Sequence, residues 1–193
     1  LIIVLNGYPG VGKLTIGEEL IFQISGRLLD IHSVYNVAFA LAEFKSPEFI
    51  EAVEKIESVA HDLILKLPPE IPVVLTTVLA GTSDWGDAEW KRIVRLGKER
   101  GPLLVVHIHC GLEENIRRIE AAGRAAKRKP RDAEMAMRNH VHGKVLAGID
   151  EPNLLRLDVT DLSAREAATK IAEWAKISAI LAPQGMRSDG RRG

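Results

Sequence analysis

Cysteine is almost missing: Cys110 is the one thiol in 193 residues. That excludes an intrachain disulfide and fits a reducing, cytoplasmic setting. Net charge is missing too, with 26 basic and 26 acidic side chains and a pI near 7.2. No global field recruits nucleic acid or a membrane surface. The apolar runs are only strand length, so no helix is expected to span a bilayer. No signal-peptide pattern precedes the first of them. The chain shows no internal repeat and no low-complexity tract. His107, His109, Cys110, His140 and His142 invite a metal reading, but zinc spacing with paired cysteines is absent, and structural histidines are expected.

What is present suits a folded α/β chain. Apolar residues make up 46% of it, enough to fill a core, and charged residues an ordinary 27%. Residues 7–15 read Gly-Tyr-Pro-Gly-Val-Gly-Lys-Leu-Thr, directly after the apolar run Leu1–Leu5. This is nearly the full Walker A pattern, in which a strand, a Gly-rich turn and a helix start build a phosphate cradle. Backbone N–H groups of the turn point at an anion. The helix adds its positive dipole end. Gly7, Gly10 and Gly12 allow angles and approaches that a Cβ would block, and Pro9 stiffens the loop. Val11 belongs to the same turn. Lys13 supplies a mobile charge for the β- and γ-phosphates. One position departs: Leu14 stands where a Ser or Thr would hold Mg²⁺, and Thr15 follows it. Either Thr15 reaches the metal or phosphate from there, or the metal leans on other ligands.

Strand and helix patterns alternate along the chain. Apolar runs predict strands at Leu1–Leu5, Arg27–Asp30, Ile71–Leu79, Leu103–His109 and Leu154–Asp158. Helical spacing predicts helices at Thr15–Ile24, Ser33–Phe44, from Ser46-Pro47 to the Pro68-Pro69 break, Asp87–Arg100, Leu112–Ala126, from the cap Asp132 to about Leu146, and from the capping box at Ser163 to about Leu181. The tail 183–193 is polar and Gly/Arg-rich and is expected to be poorly ordered. One domain over 1–182, with a small lid at about 121–143, accounts for the length. The alternation implies a parallel sheet covered on both faces. Ligands then sit at the carboxyl ends of its strands.

Polar groups gather at that edge. Asp30 ends the second strand, where a carboxylate can hold Mg²⁺ through water and orient an acceptor hydroxyl. Its plainer role is a helix N-cap. His32 and Asn36 follow; Asn36 is one turn from the strand end and could contact an acceptor, while His32 reads equally as an acceptor contact or as a surface or capping histidine. Thr76 and Thr77 end the third strand on opposite faces, so one approaches the loop and the other is packed. Asp84 reads as a helix cap. The third strand lacks an acidic pair and the chain lacks Asn-Lys-x-Asp, which argues against a motor ATPase and a GTPase. Residues 117–131 hold seven cations: Arg117, Arg118, Arg124, Lys127, Arg128, Lys129 and Arg131. Such a run can be a lid whose arginines clamp phosphate oxygens, a solvated helix face or a nucleic-acid contact. Glu113, Glu114 and Glu120 are spaced to pair with Arg117 and Arg118.

Taken together, Gly7–Thr15, the Asp30-x-His32 strand end, the basic segment 124–132 and the strand Leu154–Asp158 resemble the P-loop small-molecule and nucleoside monophosphate kinase superfamily. Shikimate, gluconate, adenylate and cytidylate kinases belong to it. The resemblance spans nearly the whole chain. It implies a three-layer P-loop NTPase fold, with a five-stranded parallel sheet in the order 2-3-1-4-5. It implies an ATP- and Mg²⁺-dependent phosphotransferase acting on a small hydroxylated acceptor. By similarity, Asp30 serves magnesium and acceptor, Arg124 and Arg128 belong to the lid, Arg117 flanks the base, and Asp161 lies near the adenine. His32, Asn36 and Thr77 would face the acceptor. Shikimate kinases carry a second Asp where His32 stands. No arginine lies between Arg27 and Arg92, whereas monophosphate kinases clamp their acceptor phosphate with arginines from that region. A cytidylate-like kinase remains an alternative, with Arg92 and Arg95 as its candidates. A nucleotide-binding module without catalysis, suggested by Leu14, is the rival from another class.

Overall fold

The computed structural model describes residues 1–121 and 132–181. The first apolar run forms β1 (Ile2–Asn6), every residue of it buried. The chain continues through α1 (Lys13–Ile24), β2 (Arg27–Asp30), α2 (Ile31–Leu41), α3 (Pro47–Lys66) and β3 (Val73–Thr77). It then runs through α4 (Asp84–Arg100), β4 (Leu103–His109), α5 (Leu112–Glu120), α6 (Ala133–Val141), β5 (Leu154–Asp158) and α7 (Ala164–Leu181).

The five strands pair in the order β2-β3-β1-β4-β5, all parallel. β1 lies in the middle, with Asn6 level with Thr77 on one side and His107 on the other. Side chains alternate across a strand, so β1 feeds two cores. Ile3 and Leu5 pack with Ile16 and Leu20 of α1 and with Ala168 and Ile171 of α7. Ile2 and Val4 pack with Ile64 of α3 and with Ile93 and Leu96 of α4. Helices therefore cover both faces, as two-sided burial of the strands requires. A third, smaller cluster joins α2 to α3 through Val34, Ala38, Phe49 and Val53.

Several boundaries move from the sequence expectation. α2 starts at Ile31 and stops at Leu41, because Ser46 caps the next helix by accepting from Phe49 N–H at 3.1 Å. α4 starts at Asp84 rather than Asp87. Its cap is Ser83, which accepts from Gly86 N–H at 3.1 Å, so Asp84 is a first-turn residue and not the cap. α6 ends at Val141 instead of running to Leu146. The chain there is committed elsewhere: Gly81 N–H donates to Val145 O at 2.8 Å and Ala147 N–H to Leu79 O at 2.9 Å. The Ser163 capping box forms as read, with Glu166 N–H on Ser163 Oγ at 3.2 Å and Ser163 N–H on Glu166 at 2.9 Å. Among the described residues no helix is long and apolar enough to cross a membrane. Of the expected lid, Asp132 caps α6 by accepting from Glu134 N–H at 2.9 Å. Arg124, Arg128 and the rest of 122–131 lie outside the described residues, as does the tail 183–193.

Candidate active site

The turn after β1 is shaped by contacts that only glycine permits. Gly10 and Gly12 hold φ of 92° and 98°. A Cβ on Gly7 would come within 2.4 Å of the Ile108 carbonyl oxygen. Gly12 caps α1, so the N–H groups of the first helical turn open toward the loop. Lys13 curls back over the turn, its Nζ donating to Gly7 O at 2.5 Å and Tyr8 O at 2.9 Å. That fixes an ammonium at the mouth of the cradle. Asn115, fully buried on α5, donates from Nδ2 to Pro9 O at 3.1 Å and props the loop from behind.

Asn6 closes the other flank. Its amide donates to Leu79 O at 2.9 Å and Ala147 O at 3.1 Å, and its Oδ1 accepts from Leu79 N–H at 3.1 Å. The end of β1, the segment after β3 and the α6–β5 connection are thereby tied beside the loop. His107 adds a bond from Nε2 to Ala147 O at 2.8 Å, and burial holds its pKa below the usual value.

The loop faces a cavity of about 890 Å³. Pro9, Gly10, Gly12, Lys13, Leu14 and Thr15 form its floor. The strand order decides what stands on either side. Residues after β2 and β3 come from one flank, and those after β4 and β5 from the other. On the β5 flank stand Arg117, Arg118 and the Leu162–Ala164 turn. Arg118 donates to Val11 O at 3.1 Å and Val159 O at 2.8 Å, and its Nε lies 2.5 Å from Glu114. It clamps the loop to the end of β5. Arg117 is exposed and pairs with Glu114 at 2.6 Å, and hydrogen bonds from Arg117, ahead of those from Arg118, hold Glu114 down at about 2.

On the β2 flank the Asp30 carboxylate accepts from the Thr76 hydroxyl, and that hydroxyl accepts from Ile31 N–H at 3.4 Å. Asp30 occupies the N-cap position of α2 but makes no side-chain cap bond. Thr76 takes that duty and steers the carboxylate to the cavity wall. Beyond them stand His32, Tyr35, Phe39, Phe44, Trp85 and Glu89.

A family model described as AAA domain matches residues 3–139. The chain belongs to the AAA domain family. Solved structures show the same fold around this AAA domain. A gluconokinase from Sinorhizobium meliloti 1021 superposes with a TM-score of 0.58 at 15% identity, over 93% of this chain and 96% of that one. Shikimate kinase from Acinetobacter baumannii, in complex with shikimate, gives 0.52 at 20% identity, over 92% and 93%. Mycobacterium tuberculosis APS kinase, in complex with AMPPNP and APS, gives 0.55 at 18%, over 91% and 96%. No curated protein sequence matches the chain. The P-loop kinase fold, with its 2-3-1-4-5 sheet, is thus shared with small-molecule kinases.

Within this AAA domain the residues singled out from sequence divide cleanly. Lys13, Leu14, Thr15, Asp30, His32 and Arg117 all meet the cavity. Gly7 and Val11 belong to the loop but are buried beneath it. Three placements differ from expectation. Thr77 turns away from the cavity, 1% exposed, and its hydroxyl donates to Glu89 Oε1 at 3.3 Å. Thr76 takes the cavity position because strand alternation sends the two to opposite faces. Asn36 is exposed and off the wall; its neighbour Tyr35 is the residue of α2 that reaches it. Asp161 is exposed and also off the wall, where Leu162 and Ser163 stand instead. Arg92 is spent on Glu57 at 2.6 Å and Glu54 at 3.3 Å, and Arg95 on Glu99 at 2.7 Å; neither lines the cavity.

Sequence reasoning missed the aromatic wall, Glu89, Asn115 and Asn6's clamp. Only Asn6 stood in a position that its neighbours flag, as the polar end of a buried strand.

Proposed function

We propose that the protein is an ATP- and Mg²⁺-dependent phosphotransferase acting on a small hydroxylated acceptor. The observation that carries this is one cavity with a glycine cradle and Lys13 on its floor and Asp30 on its β2 flank. The cradle fits a polyphosphate: two glycines at positive φ, a helix N-terminus and an ammonium converge there. Thr15 on the floor and Asp30 on the β2 flank are hard oxygen donors lining one cavity, the type Mg²⁺ takes. When bound, the metal would neutralise charge on the transferring phosphoryl group.

The chain's own residues then have distinct tasks. Loop N–H groups and Lys13 hold phosphate oxygens. Asp30, oriented by Thr76, accepts the proton of the acceptor hydroxyl or orients it. Arg124 and Arg128, outside the described residues, would add charge at the phosphates.

Leu14 on the cavity floor favours a second reading, a nucleotide-binding module without turnover. Calorimetric titration with ATP and Mg²⁺, paired with coupled ADP release over an acceptor panel, separates the two. ADP release that requires an acceptor supports the kinase. Tight ATP binding with no turnover on any acceptor supports the module.

A further inference from the structure

The β2 flank of the cavity is built from aromatic rings drawn from three places in the chain. Tyr35 and Phe39 come from α2, Phe44 from the turn after it, and Trp85 from the start of α4. Phe49, fully buried on α3, is their common support, with ring centroids 5.9, 5.0, 5.3 and 6.1 Å from Tyr35, Phe39, Phe44 and Trp85. Tyr35 and Trp85 stack at 5.8 Å and 29°. Phe39 and Phe44 are nonetheless 38% and 54% exposed, so apolar faces remain open at the cavity.

The charged groups on this flank, among the described residues, are two carboxyls and one ammonium, with His32 beside them. Asp30 and Glu89 both line it, and Lys45, with its ammonium 5.3 Å from the Phe44 centroid, is the cation there among the described residues. The arginines of the described wall, Arg117 and Arg118, stand on the opposite flank. Glu89 is 1% exposed and accepts from the Tyr35 hydroxyl at 2.7 Å, and burial raises its pKa. Trp85 brings an indole N–H that is buried and has no hydrogen-bond partner among the described residues.

A phosphate, sulfate or carboxylate on the acceptor would meet two carboxyl groups against the single ammonium of Lys45 here, with no guanidinium among the described residues of this flank. A flat ring would meet open aromatic faces, which favour stacked or edge-on partners. Resting on the kinase reading, we infer that the acceptor is an uncharged hydroxyl compound carrying an aromatic or heteroaromatic ring, seated against the Tyr35, Phe39, Phe44 and Trp85 wall with its hydroxyl toward Asp30.

The test uses the full chain saturated with AMPPNP and Mg²⁺. Cytidine, pyridoxine and 4-hydroxybenzyl alcohol are titrated calorimetrically against cytidine monophosphate, gluconate and shikimate. Cytidine and its monophosphate share one ring, so that pair isolates the phosphate. The inference expects the uncharged ring compounds to bind tighter than the anions by about tenfold or more. Phe44→Ala, at a half-exposed position and checked for folding by circular dichroism, should weaken them by about fivefold while AMPPNP affinity stays within about twofold. Tighter binding of the anions, no heat from any ring compound, or indifference to Phe44→Ala overturns it. ADP release from ATP is read in parallel. Ring binding without turnover sinks the kinase and leaves the aromatic wall as a ring-binding site without an acceptor role; turnover of gluconate, shikimate or the monophosphate alone keeps the kinase and sinks the inference.

Discussion

The three loop glycines are required for different reasons, and alanine substitution separates them. Gly12 has φ of 98°, yet a Cβ there would find its nearest neighbour, Arg118, at an ordinary 3.5 Å. Gly12→Ala therefore costs backbone strain alone, about 1–3 kcal/mol. Gly7 has no positive φ, but its Cβ would meet the Ile108 carbonyl of β4 at 2.4 Å. Gly7→Ala costs overpacking alone, again about 1–3 kcal/mol. Gly10 carries both faults: φ of 92°, with Asn115 Nδ2 and Ile119 Cγ1 each at 2.5 Å. Asn115 and Ile119 are fully buried, so neither yields easily. Gly10→Ala should then cost roughly the sum, about 2–6 kcal/mol. Urea unfolding of the three variants beside the wild type gives the ordering, provided the m-values agree. A Gly12→Ala loss equal to that of Gly10→Ala would refute the reasoning, because the backbone angle would then account for everything and the contacts for nothing.

Asp30→Asn should lower kcat far more than it weakens ATP binding, since the carboxylate sits with Thr76 on the acceptor flank and not in the cradle; equal loss in both, measured by turnover and calorimetry, would place it in the cradle. Asn115→Ala leaves the Pro9 carbonyl without its donor, and should cost about 1–3 kcal/mol in urea unfolding and weaken ATP binding with it. Burial, and then the charge of Glu89, lifts Glu57 from 4.5 to about 7 despite its bond to Arg92. Between those values the folded state holds a proton that the unfolded state has released, so this group's contribution to stability is full below pH 4.5 and is lost as pH rises through about 7. At 1.36 kcal/mol per pH unit this amounts to on the order of 3 kcal/mol, and Glu57→Gln should flatten that decline in thermal melts between pH 5 and 8.

The loop was legible because its chemistry is local. Nine consecutive residues carry the turn, the charge and the helix start, and the apolar run Leu1–Leu5 before them is unbroken. The strand order followed from the resemblance those residues support. Faces were less legible than elements. Thr76 and Thr77 were recognised as opposite-facing, but which one meets the cavity depends on how β3 sits against β2, and Asp30 pairs level with Thr76. Asn36 lost its expected place to Tyr35 because α2 begins at Ile31, two residues earlier than its spacing suggests. The aromatic wall could not be read at all. Tyr35, Phe39, Phe44 and Trp85 look like ordinary core residues until α2, α3 and α4 bring them around Phe49. Arg92 looked available for an acceptor phosphate because Glu57 lies 35 residues away in sequence.

The central claim is that the loop holds a phosphoryl donor for transfer. Transfer of label from [γ-³²P]ATP to an acceptor found in the panel, with wild type and Lys13→Ala side by side, tests it most directly. Circular dichroism should show both folded, since Lys13, which donates to the loop carbonyls of Gly7 and Tyr8, belongs to none of the apolar core clusters. The account predicts labelled product from the wild type and a loss in the variant of about a hundredfold or more, the scale of one missing charge donor in a transition state. Near-normal transfer by a folded Lys13→Ala protein would contradict it.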